Sequence, residues 1–289
     1  MKSVRWAIIG MGVFAATATF AVAQSGAFGR LVSVFGSDDA SVVANQGETR
    51  DAASAQSFRW AGRLAEGASL EIKGVNGDIS ATPASGSEVE VVAEARGRRS
   101  DPGTVRIERI EHEDGVTFCA VYPTPEGKRE NECAPGSGGR MSVDRSDVVV
   151  DFEIRVPAGT HLVARTVNGG VTALDLGGDV FANTVNGGIE ISTTGFAQAE
   201  TVNGDIDVEM GSPDFAQGAE FSTVNGSITL DVADGVDADV RAQWLNGGFE
   251  SEIPFTLDGR IGKRSARGVL GDGGPELSLE TVNGSIRIR

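Results

Sequence analysis

An all-β chain folded as a single β-solenoid is what this sequence predicts. Three observations carry that expectation. A Val-Asn-Gly motif recurs about every 20 residues, apolar and polar residues alternate on both sides of it, and no amphipathic helical period follows the N-terminal segment. Repeats of this length indicate stacked units, none of which can bury its apolar face alone.

Residues 1–23 read as a signal peptide. Lys2 and Arg5 precede an apolar run through Phe20, and Ala21-Val22-Ala23 offers small residues for cleavage. Cutting there leaves a mature net charge of −18, from −16 for the whole chain. No Cys follows the cleavage position to take a lipid, and no later run approaches the ~20 apolar residues of a membrane helix. Residues 24–57 are rich in Gly, Ser and Asp after a short apolar piece and read as a flexible lead-in. The solenoid domain is expected over 58–289, with Phe58, Trp60 and Leu64 entering the first coil. Residues 83–156 hold strands of irregular spacing and are expected to form wider coils with hairpin excursions. Residues 157–289 form the regular stack. Cys119 and Cys133 are the only cysteines, and they flank a turn-rich loop. In an exported chain they are expected to form a disulfide, worth ~3 kcal/mol in loop-closure entropy.

The turn positions are Asn76, Asn168, Asn186, Asn203, Asn225, Asn246 and Asn283. From Asn168 the spacings are 18, 17, 22, 21 and 37. The last reads as two periods with a degenerate copy at 256–261, and the 92 residues from Asn76 to Asn168 as about five periods. Three residues after Asn stand Ile79, Val171, Ile189, Ile206, Ile228, Phe249 and Ile286, and two before it is usually Thr. This is strand patterning around a tight turn. Gly is expected to supply positive φ there and the Asn side chains to form a ladder along one corner. Stacked antiparallel hairpins are the other topology that fits, but the homologous apolar columns favour coils.

The charge balance argues against nucleic acid, which needs clustered Lys and Arg. Two His residues, His112 and His161, leave no room for a multi-His metal site. No nucleophile elbow, P-loop or zinc motif is present. Carboxylates are the exception. Residues 199–258 hold thirteen Asp and Glu against Arg241 alone. Glu190, Asp207 and Glu250 stand four after Asn, and Glu209, Asp231 and Glu252 six after, so all six should point outward on one face. The plain reading is a solvated face. The sharper one is a ladder of like charges that binds cations, weakly Ca²⁺, or a cationic partner. The basic segment Arg260, Lys263, Arg264 and Arg267 is expected to neutralise neighbouring carboxylates.

The T-V-N-G-x-I repeats, the V-P-A-G lead-in at 156–159 and the export segment resemble the bacterial putative-adhesin family of β-strand-repeat proteins, similar to head-domain autotransporter adhesins. The resemblance covers roughly residues 58–289. It implies a β-solenoid at the cell envelope with an adhesive or envelope-stress role, and it brings no catalytic residues. The expected function is therefore a non-enzymatic exported scaffold, periplasmic, cell-surface or secreted, without a cofactor, that meets an envelope or extracellular component. The alternative is a carbohydrate-active enzyme using outward carboxylates as a pair ~5 Å apart.

Overall fold

A computed structural model describes residues 49–211, 218–233, 235–257 and 262–289; the signal peptide expected at 1–23 lies outside them. The fold is all-β, with no α-helix among the described residues. Its strands form two sheets, one of twelve and one of ten. Each repeat places the strand before Asn-Gly in the larger sheet and the strand after it in the smaller. Ile189–Thr193 and Ile206–Met210, for example, are parallel neighbours in the smaller sheet, while Val180–Asn183 and Ala197–Glu200 are parallel neighbours in the larger. The apolar columns of both sheets face each other: Leu70, Leu162, Val180, Ile189, Ile206 and Ile228 are all buried. The small inward residues Ala164, Ala182, Ala199 and Ala242 are buried with them. The register expected from the period-2 pattern is the one observed.

A single β-solenoid throughout is not confirmed. Its pairs would be parallel throughout, whereas both sheets are mixed. The middle rows are parallel; the larger sheet turns antiparallel at both ends, and the smaller at one end only, its other edge being the parallel pair of Phe249–Ser251 on Ile286–Ile288. At one end Phe58–Gly62 pairs with Val89–Arg96, which pairs with Val149–Val156. In the other sheet Thr49–Ser54, Arg106–His112 and Gly115–Val121 pair likewise, so strand begins earlier than the boundary read at Phe58. At the far end Ser265–Leu270 pairs with Ala238–Asn246 and with Thr256–Leu257. Antiparallel strands at both ends cap edges that a parallel stack leaves open. Aromatic clusters close the core there: Trp60 and Phe58 on Phe118, and Phe249 against Trp244 and Phe255.

Row order also departs from chain order. Asn76 lies directly beside Asn168, so the 91 residues between them do not add five coils between these rows; their strands Gly115–Val121 and Val149–Val156 pair in parallel on the other side of the Asn76 row. The C-terminal strands Glu276–Asn283 and Ile286–Ile288 insert between the rows of Asn225 and Asn246. The expected degenerate copy at 256–261 is therefore not a row: Thr256–Leu257 belongs to the antiparallel cap, and 258–261 lie outside the described residues.

The T-V-N-G motif follows from how closely the rows stack. A Cβ on Gly169, Gly187, Gly204, Gly226 or Gly284 would sit 1.8–2.1 Å from the carbonyl oxygen of the adjacent row's Gly. Of the seven turn glycines only Gly77 and Gly247 have left-handed φ, at 129° and 149°. Close approach, not the expected positive φ, is why Gly is required. Thr166, Thr184, Thr201, Thr223 and Thr281 are buried, and each Oγ1 donates to the Gly carbonyl of the adjacent row at 2.8–3.1 Å. Such a bond contributes about 1 kcal/mol, and leaving the carbonyl unmet costs more. The Asn ladder forms as expected. Asn168, Asn186, Asn203, Asn225, Asn283 and Asn246 each donate Nδ2–H to the Oδ1 of the preceding row at 2.7–2.8 Å.

Gly204→Ala should therefore lower unfolding stability by about 2–4 kcal/mol in a urea titration. Gly248→Ala, where no atom lies within 4 Å of the added carbon, should change it by less than about 0.5 kcal/mol. Equal effects would contradict the close-approach account.

Candidate binding surface

The six carboxylates singled out in the sequence all project from strands of the smaller sheet or their immediate continuation. The register places Glu190 beside Asp207, then Thr229, Arg287 and Glu250 in turn. In the next column Ser192 precedes Glu209 and Asp231. The expected ladder of Glu209, Asp231 and Glu252 is broken. The inserted C-terminal row brings Arg289 between Asp231 and Glu252, 3.9 Å from each, and Arg287 to 3.1 Å from Glu250 and 3.8 Å from Glu252. These are the cations that meet the columns. Of the basic segment, Arg267 lies opposite Arg241 in the antiparallel cap, and Arg260 is outside the described residues.

The pairs are solvent-exposed, so each contributes at most about 1 kcal/mol and is screened by salt. Arg287→Gln/Arg289→Gln should lower the melting temperature by about 2–4 °C at low ionic strength. The deficit should shrink in 0.5 M salt, roughly three times the physiological ionic strength. A deficit independent of salt would mean the two arginines act through packing.

A second acidic group, which sequence reasoning passed over, lies on the outer face of the larger sheet. Glu200 and Glu220 stand on adjacent strands, with Glu276 and Glu280 on the strand beyond. Burial, and then repulsion by Glu220, raises the Glu200 carboxyl above its ordinary range. Burial, and then Glu280 and Glu276, raises Glu220 in the same way. Two residues on from Glu200 and Glu280, toward the corner, come Val202 and Val282. The position before Asn is exposed in five consecutive rows, Val185, Val202, Val224, Val282 and Leu245, at 36–44%.

At the opposite end, the disulfide loop covers a buried ionic cluster. Cys119 and Cys133 are bonded, with Cα atoms 5.8 Å apart. The loop beyond Cys133 lays its backbone over Glu71, Lys73 and Arg165. Lys73 Nζ donates to the carbonyls of Ala134, Gly136 and Gly138 at 2.5, 2.6 and 3.3 Å. Glu71 accepts from Arg165 at 2.8 Å, and from Thr117 Oγ1 and the Gly136 N–H at 2.9 Å each. Glu71 and Lys73 alternate with the core residues Leu70 and Ile72 along Ser69–Lys73. Their partner Arg165, 92 residues beyond Lys73, was invisible until the row order was known. His112 bonds Thr117 Oγ1 at 3.1 Å, and His161 lies 3.2 Å from Asp179.

Burial lowers the Lys73 ammonium to about 8, against the opposing pull of Glu71. Burial raises the Tyr122 hydroxyl, which donates to the Val148 carbonyl, to about 12. Between pH 8 and 10 the unfolded chain holds a Lys73 proton that the folded chain has released. Stability should rise there by up to about 1.4 kcal/mol per pH unit. Above pH 10 the raised Tyr122 works in the opposite direction, because the folded chain then holds the extra proton. Urea titrations from pH 7.5 to 10 should show the rise in wild type and lose it in Lys73→Met. A fall over that range in both proteins would contradict the assignment.

Among the described residues no group of three His, Cys, Asp or Glu is placed to hold a metal ion. No described helix is long and apolar enough to cross a membrane. A cavity of about 30 Å³ beside Lys73 and one of about 550 Å³ beside Arg63 and Arg155 are lined by none of the six carboxylates. The enzymatic alternative has no support in this arrangement.

No family model matches the chain, and no curated protein matches it in sequence. In structure it is similar to a putative cell adhesion protein from Clostridium sporogenes, at 10% identity and a TM-score of 0.37, over 80% of this chain and 98% of that one. It is likewise similar to a putative adhesin from Bacteroides fragilis, at 10% identity and a TM-score of 0.36, over 81% and 97% of the two chains.

Proposed function

We propose that this chain is a non-enzymatic, exported, adhesin-like scaffold whose parallel middle rows wind as a β-solenoid and display charge columns at the cell envelope or outside the cell. The observation that carries the reading is the stack itself. Rows repeat the same outward positions, so a modest side chain becomes a column, and both acidic groups stand on outer sheet faces. The disulfide and the signal-like first 23 residues favour an oxidising compartment. The acidic columns suit cations or a cationic partner, held diffusely because no preformed metal cluster is built among the described residues.

Fluorescent beads carrying the folded protein test this on isolated bacterial envelopes and on host-cell surfaces. Retention above that of albumin-coated beads is expected. It should fall with rising salt and fall again in a variant with Glu190, Asp207, Glu209 and Asp231 replaced by their amides. Retention no better than albumin on both surfaces would overturn the reading.

A further inference from the structure

The corner that carries the Asn ladder has the chemistry of a docking surface. Among the described residues six large apolar side chains are exposed, and five of them form one column, in the order Val185, Val202, Val224, Val282, Leu245. The column fades toward the other end, where Val167 is half-buried and Val75 buried. On one side the column is bordered by Glu200 and Glu280, two residues away on the same sheet face, with Glu220 behind them. On the other side, past the Asn ladder, stand Asp205, Asp207 and Glu190. An apolar line between two acidic shoulders is complementary to an apolar line between two basic ones.

The pitch of the column selects the form of the partner. Parallel rows are ~4.8 Å apart, so the five side chains span about 19 Å. The apolar face of an α-helix advances ~5.4 Å per turn, and about 13 residues cover that length. Same-face side chains of an extended strand are ~6.8 Å apart and drift out of step within two or three rows. A second copy of this chain would bring the acidic shoulders together and is disfavoured by repulsion. Five partly exposed aliphatic side chains also fall well short of the ~800 Å² per partner that a standard-size interface needs without help from charge.

The geometry points to the Val/Leu column at the Asn-Gly corner as the docking line for a basic amphipathic helix, with its apolar stripe on the column and its Lys or Arg flanks on the two acidic shoulders. This rests on the binding-scaffold reading and names its partner class. The shoulders explain why a partner would gain by charge: Glu200 and Glu220 already repel their neighbours, and an incoming cation relieves them.

The probe is a fluorescent 15-residue Leu/Lys peptide with its leucines on one helical face. Two controls accompany it, a scramble of the same composition and a Leu/Glu version. At 50 mM salt the Leu/Lys helix should bind at least tenfold more tightly than either control. Methyl NMR of the wild-type protein should place its largest shifts on Val185, Val202, Val224, Val282 and Leu245. Val202→Asn/Val224→Asn/Val282→Asn should weaken binding at least fivefold with an unchanged melting temperature. Glu200→Gln/Glu220→Gln/Glu280→Gln should weaken it and flatten its salt dependence. Equal binding of the scramble, shifts confined to other faces, or no binding at all overturns the docking line. If beads still adhere to envelopes in that case, only the docking line falls; if they do not, the scaffold reading falls with it.

Discussion

The contact on which the rest of the structure depends is the approach of one backbone to the next at the Asn-Gly corner. Adjacent turn glycines lie so close that a single methyl group would sit about 2 Å from a carbonyl oxygen. Everything else in the motif serves that approach. The buried Thr hydroxyl satisfies the Gly carbonyl that the stacking shields from water, and the Asn side chains bond along the outside of the same corner. Each ladder amide donates in one direction, so the bonds polarise one another along the stack. A row that lacks one part sits at an end: Gly74 replaces Thr in the first row, and Trp244 replaces it in the last.

That regularity explains how the surface is built. Once the corner fixes the rows in register, any outward position becomes a column, and its character is the sum of what successive repeats place there. The inserted C-terminal row shows how sensitive a column is to row order. By sequence order Asp231 and Glu252 occupy neighbouring copies; in space Arg289 separates them. The same insertion sets Val282 between Val224 and Leu245 and makes the apolar line continuous.

The inward pattern was legible in the sequence because a strand's side chains alternate with period two, and Ile206, Ile228 and the Ala column lie where that pattern puts them. The disulfide was legible from two cysteines in a chain read as exported. Row order was not. A spacing of 92 or 37 residues says nothing about whether the intervening chain adds rows or leaves the stack and returns, since that depends on edge pairing such as Val89–Arg96 on Val149–Val156. The Glu71–Lys73–Arg165 cluster was hidden for the same reason. The role of Gly was half legible: the residue was rightly singled out, but only neighbouring rows reveal that close approach, more than φ, excludes a side chain.

Native-state hydrogen exchange at the corner tests the central claim most directly. The amides of Gly169, Gly187, Gly204, Gly226 and Gly284 each donate to an Asn carbonyl in the adjacent row at 2.9–3.0 Å, although the corner faces solvent. They should exchange only through cooperative opening, with protection close to that of the Ile206 and Ile228 amides in the core strands. The amide of Gly247, in the last row of the ladder, should exchange much faster. Rapid exchange at the five inner glycines, with the strands still protected, would show that the corner is a passive turn and that the stack is held by its sheets alone.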